Sequence, residues 1–267
     1  MTVRIGSLFS GIGGFELGLE RAIPGAETVW QCEQNTFCQK VLKKHWPSAV
    51  IYDDVRTIDE TVAPIDILCG GFPCQDISVA GKQRGIEHGT RSGLWWEMHR
   101  ITRVLQPRII IMENVSAILS VGGRTVIGSL AEIGYNCEWT VIPSGSMFGL
   151  PHERKRWFCV AYSISKSSST SLSLQCILEE SRSPQNGNTS SNLMQEIEYI
   201  KGRSPGKETD IEPFLCGMDD GFPIQLDRNL NNRLKALGNA ITPPASEWVG
   251  LQILKSGLLD DLIGGEE

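Results

Sequence analysis

The chain alternates short apolar runs with segments of helical periodicity, and this alternation restricts its fold more than any other feature. Apolar runs at 3–9, 27–33, 65–69 and 108–112 are separated by patterns that predict helices from about Gly14, at 35–45 and at 93–105. A helix near 124–133 and further runs at 137–142 and 157–162 continue the series. Repetition of this kind builds a mostly parallel sheet covered on both faces. The predicted fold class is therefore α/β, a doubly wound mostly parallel sheet.

With 267 residues the chain has room for one large domain and a small appendage. The boundary is marked by composition: residues 163–173 hold seven serines and one threonine in eleven positions, and polar, Pro- and Gly-containing sequence continues to about Lys207. Such a stretch buries too little apolar surface to offset chain entropy, so 163–229 reads as a small irregular insertion. Thr242-Pro243-Pro244 has the form of a helix start, an N-cap candidate followed by proline in the first turn. Ala245, Trp248, Leu251 and Leu254 follow at helical spacing, which predicts that this late helix packs back on the sheet. Residues 1–162 and 230–267 are thus expected to form one domain interrupted by 163–229.

Eight cysteines are scattered without a CxxC pair, which disfavours a zinc site or a disulfide framework and predicts reduced thiols and no metal. No apolar stretch approaches the ~18 residues of a membrane span, and the amino terminus lacks a charged region with a cleavage site. A soluble, cytoplasmic protein is expected, without membrane contact and, by default, monomeric. The net charge of −6 argues against a nucleic-acid partner, yet residues 79–108 carry Lys82, Arg84, Arg91, Arg100, Arg103 and Arg108 against Glu87 and Glu97. That local excess of +4 leaves −10 elsewhere, so one basic face is expected. The plainer reading of Arg100 and Arg103 is a solvated helix face.

The chemistry gathers at the predicted strand ends. Phe9-Ser10-Gly11-Ile12-Gly13-Gly14 follows the first strand and opens a helix, allowing close backbone approach to a ligand, although it is not the GxGxxG pattern. Glu33 ends the second strand, where a carboxylate can accept from both hydroxyls of a ribose; Asp53 and Asp54 end the third, as ligands or as helix caps. Gly70-Gly71-Phe72-Pro73-Cys74-Gln75 follows the fourth and presents a thiol. With an ordinary pKa of about 8.5, a thiol needs local help or coupled proton transfer to attack, and Cys74 is the candidate nucleophile. Glu113-Asn114-Val115 brings a carboxyl to the same edge; kept protonated by burial, it can hydrogen-bond a ring nitrogen. Arg154 and Arg156, alternating to one face just before the strand at 157–162, can hold that glutamate, a base or a phosphate. Gly238-Asn239-Ala240 alone reads as a helix stop.

Taken in order, these motifs resemble those of the cytosine-C5 DNA methyltransferase family, over roughly residues 3–162 and 230–256. The resemblance implies a Rossmann-like domain binding S-adenosylmethionine through Phe9, Gly11, Gly13 and Gly14, through Glu33, Asp54 and Val55, and through Leu94, Asn239 and Ala240. It further implies that Cys74 adds to C6 of a cytosine flipped out of double-stranded DNA, that Glu113 contacts N3, and that Arg154 and Arg156 support the glutamate and the base. Methyl transfer to C5 would precede loss of the C5 proton and elimination of Cys74. Ser78–Thr90 would form a loop closing over the base, with Lys82 and Arg84 on phosphates, and 163–229 would serve target recognition. His152 stands where the family commonly has glutamine. RNA as substrate, a catalytically silent DNA-binding protein and a nicotinamide-dependent oxidoreductase are the competing readings. Phe72 before Pro73-Cys74 resembles the DNA-modifying branch.

Overall fold

Four of the strands are short and apolar because both their faces are covered. A computed structural model describes residues 2–73, 93–150, 154–166 and 240–264. Strands β1 (Val3–Leu8), β2 (Ala26–Cys32), β3 (Val50–Tyr52), β4 (Ile67–Gly70), β5 (Ile109–Val115), β6 (Tyr135–Pro143) and β7 (Lys155–Ser163) form one sheet in the order β3-β2-β1-β4-β5-β7-β6. Neighbours from β3 to β5 are parallel, while β7 runs antiparallel to both β5 and β6. The order reverses between β1 and β4, the switch point at which open α/β sheets hold ligands.

Side chains of β5 alternate strictly between two cores. Ile109 and Ile111 enter one, with Phe15 and Leu19 of helix α1 (Gly14–Ala22); Ile110 and Met112 enter the other, with Trp95, Met98 and Ile101 of helix α3 (Leu94–Leu105). Helix α2 (Thr36–His45) begins at Asn35, whose side chain accepts from the Phe37 and Cys38 amides. Short helices α4 (Ile118–Val121) and α6 (Ser144–Phe148) and the longer α5 (Gly123–Glu132) complete the first part of the chain.

Helix α7 (Pro243–Lys255) returns to the first domain, as its proline-led start predicts. Its buried contact face is Ala245, Trp248, Val249 and Ile253, with the partly buried Leu251 packed against the same core; Leu254 is only partly buried. Burying each large apolar side chain is worth about 1.5–3 kcal/mol, enough to bind a segment this distant in sequence. Ser246 adds a hydrogen bond from Oγ to the Gly14 carbonyl at 2.8 Å. Thr242 occupies the N-cap position without a capping bond; its hydroxyl instead meets Ser144 Oγ at 3.1 Å. The short helix α8 (Asp260–Ile263) is fixed by Arg108, which forks onto both carboxylate oxygens of Asp261 at 2.7 and 2.6 Å.

That ion pair corrects the expected basic face. Arg108 is spent on Asp261 and the Leu258 carbonyl, and Arg100 on Glu97 and nearby carbonyls, so neither offers its charge to a phosphate. Lys82, Arg84 and Arg91, with the rest of the 78–90 segment, lie outside the described residues. Among the described residues, no helix is long and apolar enough to cross a membrane.

Candidate active site

Strand β1 delivers a glycine turn to the switch point. Phe9 has φ 55°, a left-handed conformation costing a bulky residue on the order of 1–3 kcal/mol, and Gly11 and Gly13 are left-handed at 56° and 91°. The turn is held by the Ser10 amide donating to the Cys32 carbonyl at 3.1 Å and by the Gly11 amide donating to Glu33 Oε2 at 2.8 Å. Gly14 lies so close to the Ile241 carbonyl that an added Cβ would sit 2.1 Å from its oxygen. The turn after β1 is therefore packed directly on the segment that leads into α7.

Beside the turn opens a cleft of about 400 Å³ whose lining includes Phe9, Glu33, Asp53, Asp54, Val55, Pro73 and Leu94. Phe9, Val55, Pro73 and Leu94 supply apolar walls suited to a purine. Glu33 Oε1 accepts from the Asn35 amide at 2.7 Å and Oε2 from Gly11. Each oxygen retains a second acceptor site for a ribose hydroxyl. Asp54 both lines the cleft and caps the 3₁₀ turn Val55–Thr57, and it pairs with Arg56 at 2.8 Å. Arg56 holds the Asp54 carboxyl below the usual range. Three carboxylates against one arginine give the cleft a negative lining that favours a cationic ligand over an anionic one such as a pyrophosphate.

On the other side of the switch point, β5 runs through Glu113 and Asn114 instead of stopping at Met112. Register with β7 sets Val115 opposite Arg156 and Glu113 opposite Phe158, so Arg156 is the diagonal neighbour of Glu113. Arg156 Nε meets Glu113 Oε1 at 2.9 Å. Burial pushes the Glu113 carboxyl up, and Arg156 and then Arg154 pull it part of the way back. Burial, then the like charge of Arg156, lower Arg154. An acid held this way can keep its proton closer to neutrality than a solvated glutamate does. Glu113 Oε2 would stand 3.1 Å from a Cβ on Gly71, so glycine there lets the acid reach the chain just before Cys74.

Asn114 was not singled out as a site residue by sequence. Buried to 1 % exposure, it donates from Nδ2 to the Phe72 carbonyl at 3.1 Å and accepts from the Val115 amide at 2.9 Å. It thereby fixes the chain two residues before Cys74. Asp53, offered by sequence as either ligand or cap, lines the cleft; Pro73 and Ile241 join the site without having been chosen among its residues, their signal being adjacency to Cys74 and Ala240. Cys69, by contrast, is fully buried, and burial pushes its thiol well above the ordinary range, which leaves it inert.

The sequence-predicted residues thus divide into groups. Phe9, Glu33, Asp54, Val55 and Leu94 line one cleft, and Glu113 and Arg156 are in contact, with Arg154 close enough to act on the glutamate. Gly11, Gly13 and Gly14 form the turn beside that cleft: Gly11 meets Glu33, Gly13 is packed against Trp46, and Gly14 against Ile241. Ala240 begins the last described segment, adjoining Ile241. Cys74, Asn239 and His152 lie outside the described residues, as do 167–239, most of the insertion.

The family model of C-5 cytosine-specific DNA methylases matches residues 3–212. The chain is 39 % identical over 166 residues to the type II methyltransferase M.CviJI of Paramecium bursaria Chlorella virus IL3A, covering 60 % of this chain and 43 % of that protein. It is 34 % identical over 164 residues to M.HhaI of Haemophilus parahaemolyticus, covering 60 % and 49 %. With M.MspI of Moraxella it shares 29 % over 236 residues, covering 86 % and 52 %. The chain therefore spans about half the length of the curated relatives it matches. In fold it is similar to the Dnmt2 methyltransferase of S. pombe, with a TM-score of 0.64 at 16 % identity over 96 % of this chain and 99 % of that one. The methyltransferase EhMeth of Entamoeba histolytica gives 0.60 at 18 % identity over 98 % and 99 %.

Proposed function

This chain belongs to the C-5 cytosine-specific DNA methylase family, and on that basis we propose that it is a DNA (cytosine-5-)-methyltransferase using S-adenosylmethionine on double-stranded DNA. The observation that carries the reading is the Glu113 carboxyl, buried, ion-paired with Arg156 and set against Gly71 on the loop that leads to Cys74. S-adenosylmethionine, when bound, supplies an electrophilic methyl group. Phe9, Val55 and Leu94 hold its adenine, Glu33 its ribose, and Asp54, Asn239 and Ala240 complete the pocket.

Cytosine C5 is a poor nucleophile until C6 is attacked. The Cys74 sulfur forms the bond to C6 while Glu113 hydrogen-bonds N3 and meets the charge that develops on the ring. Arg156 and Arg154 hold Glu113 in place and contact the base. After methylation the C5 proton is lost to solvent, the C5–H electron pair forms the 5,6 double bond, and the C6–S bond breaks with its pair leaving on the Cys74 sulfur as thiolate. Because C6 is stacked inside a duplex, the cytosine must be extruded, at a cost of a few kcal/mol.

Residues 1–162 and 230–267 form the catalytic domain in this reading, 163–229 recognise the target, and the chain works as a monomer in the cytoplasm. Its relatives named as type II methyltransferases support a place in restriction-modification. Incubation with tritiated S-adenosylmethionine and either duplex DNA or RNA tests the proposal. Label is expected at cytosine C5 of DNA; label confined to RNA, or none, contradicts it.

A further inference from the structure

Arg100 lies on α3, six residues after Leu94, with its charge turned towards the cofactor cleft's opposite wall. Four hydrogen bonds engage its guanidinium: Nε to Glu97 Oε2 at 2.8 Å, Nη1 to the Ile58 carbonyl at 2.8 Å, and Nη2 to the Val55 and Arg56 carbonyls at 3.2 and 3.5 Å. The three carbonyls belong to the 3₁₀ turn Val55–Thr57 and the residue after it. Leu94, on the same helix as Arg100, lines the cleft together with Asp54, Val55 and Arg56 of the turn that Arg100 bonds. The Val55 carbonyl also accepts from the Ile58 amide at 3.3 Å within the turn, and the positive fork adds charged donors to it and to the Arg56 and Ile58 carbonyls at the turn's carboxyl-terminal end.

We infer that Arg100 is a positioning residue for S-adenosylmethionine, a clamp that sets the separation of the Val55 and Leu94 walls. The inference rests on the cofactor reading of the cleft. Among the described residues Arg100 bonds neither Glu113 and Arg156 nor Gly71–Pro73, so it governs occupancy of the cleft and not the chemical step. Its side chain is 38 % exposed, outside both apolar cores, which separates its role from that of holding the fold together.

Calorimetric titration with S-adenosylhomocysteine tests this on the whole chain. Arg100→Gln is expected to weaken binding about tenfold or more, as loss of charge-assisted hydrogen bonds does. Its KM for S-adenosylmethionine should rise by a similar factor, with kcat at saturation within about twofold and an unchanged circular dichroism spectrum. Arg100→Lys should fall between, because an ammonium cannot fork across several carbonyls. Arg103→Gln, one turn on and exposed, should bind as the wild type does. Wild-type affinity in Arg100→Gln overturns the inference, as does a parallel fall of kcat, affinity and melting temperature in both Arg100 variants. A wild-type chain that fails to bind S-adenosylhomocysteine overturns the cofactor reading itself.

Discussion

The Gly11 amide donates to Glu33 Oε2 at 2.8 Å, so the turn after β1 and the carboxylate after β2 are a single piece. The turn's left-handed residues hold their shape partly because Glu33 fills an amide that the loop leaves without another partner. Glu33→Ala should remove both this bond and the acceptor for the ribose. At about 1.5–3 kcal/mol for a hydrogen bond to a charged group, S-adenosylhomocysteine affinity should fall about 10- to 150-fold. Glu33→Gln should lose less. Titration calorimetry checks the order, and equal affinity in the alanine variant contradicts it.

Gly71 brings the stretch before the nucleophile up against the acid. An added methyl would stand 3.1 Å from Glu113 Oε2 and 3.3 Å from Ile241 Cδ1, tight enough that the carboxyl must shift. Gly71→Ala should therefore lower kcat about tenfold or more, since small misplacements of a reacting group cost that much, while KM for S-adenosylmethionine changes little. Single-turnover methyl transfer separates the two.

Asn114 ties β5 to the Phe72 carbonyl inside the protein. Asn114→Ala leaves that carbonyl buried without its donor and should cost about 1–3 kcal/mol of stability. It should also slow turnover more than Asn114→Ser, which retains a short polar group. Urea unfolding and steady-state rates measured side by side check both parts.

Glu16 is wholly buried in the first turn of α1, where Gln31 Nε2 donates to its Oε1 at 3.0 Å. A charge there gains about 0.3–1 kcal/mol from the helix dipole, whereas taking an ion out of water costs several kcal/mol. Burial wins, and the carboxyl is pushed above its ordinary 4.5. Because the folded value is the higher one, the stabilisation is complete below the unfolded value near 4.5 and is lost as pH rises through the folded value. Glu16→Gln should flatten that decline. Glu113 contributes a slope of the same sign, so the difference between wild type and variant isolates Glu16. Identical pH profiles of the melting temperature contradict this assignment.

Much of the architecture was legible because the signals were local. Short apolar runs and the Thr242-Pro243-Pro244 start fix strands and a helix start without reference to the rest of the chain. Glu33, Asp54 and Glu113 were legible as site residues because strand ends converge on one edge of a parallel sheet. What escaped depends on partners far away in sequence. Arg100 reads as a solvated helical charge, yet it bonds carbonyls some 42 to 45 positions earlier. Arg108 reads as part of a basic strip but is matched to Asp261, 153 positions on. Thr242 reads as a capping residue, and its hydroxyl goes to Ser144 because α6 packs there. Helical spacing tells which face is apolar; it does not tell what that face will meet.

The central claim is that the Cys74 sulfur attacks C6 of an extruded cytosine while Glu113 bonds its ring. A duplex carrying 5-fluorocytosine tests it most directly, since fluorine at C5 cannot leave as a proton does and the C6–S bond then persists. With S-adenosylmethionine present, a covalent protein–DNA adduct is expected, mapped by peptide mass spectrometry to Cys74 and lost in Cys74→Ala. No adduct, or an adduct on any other residue, would contradict the account.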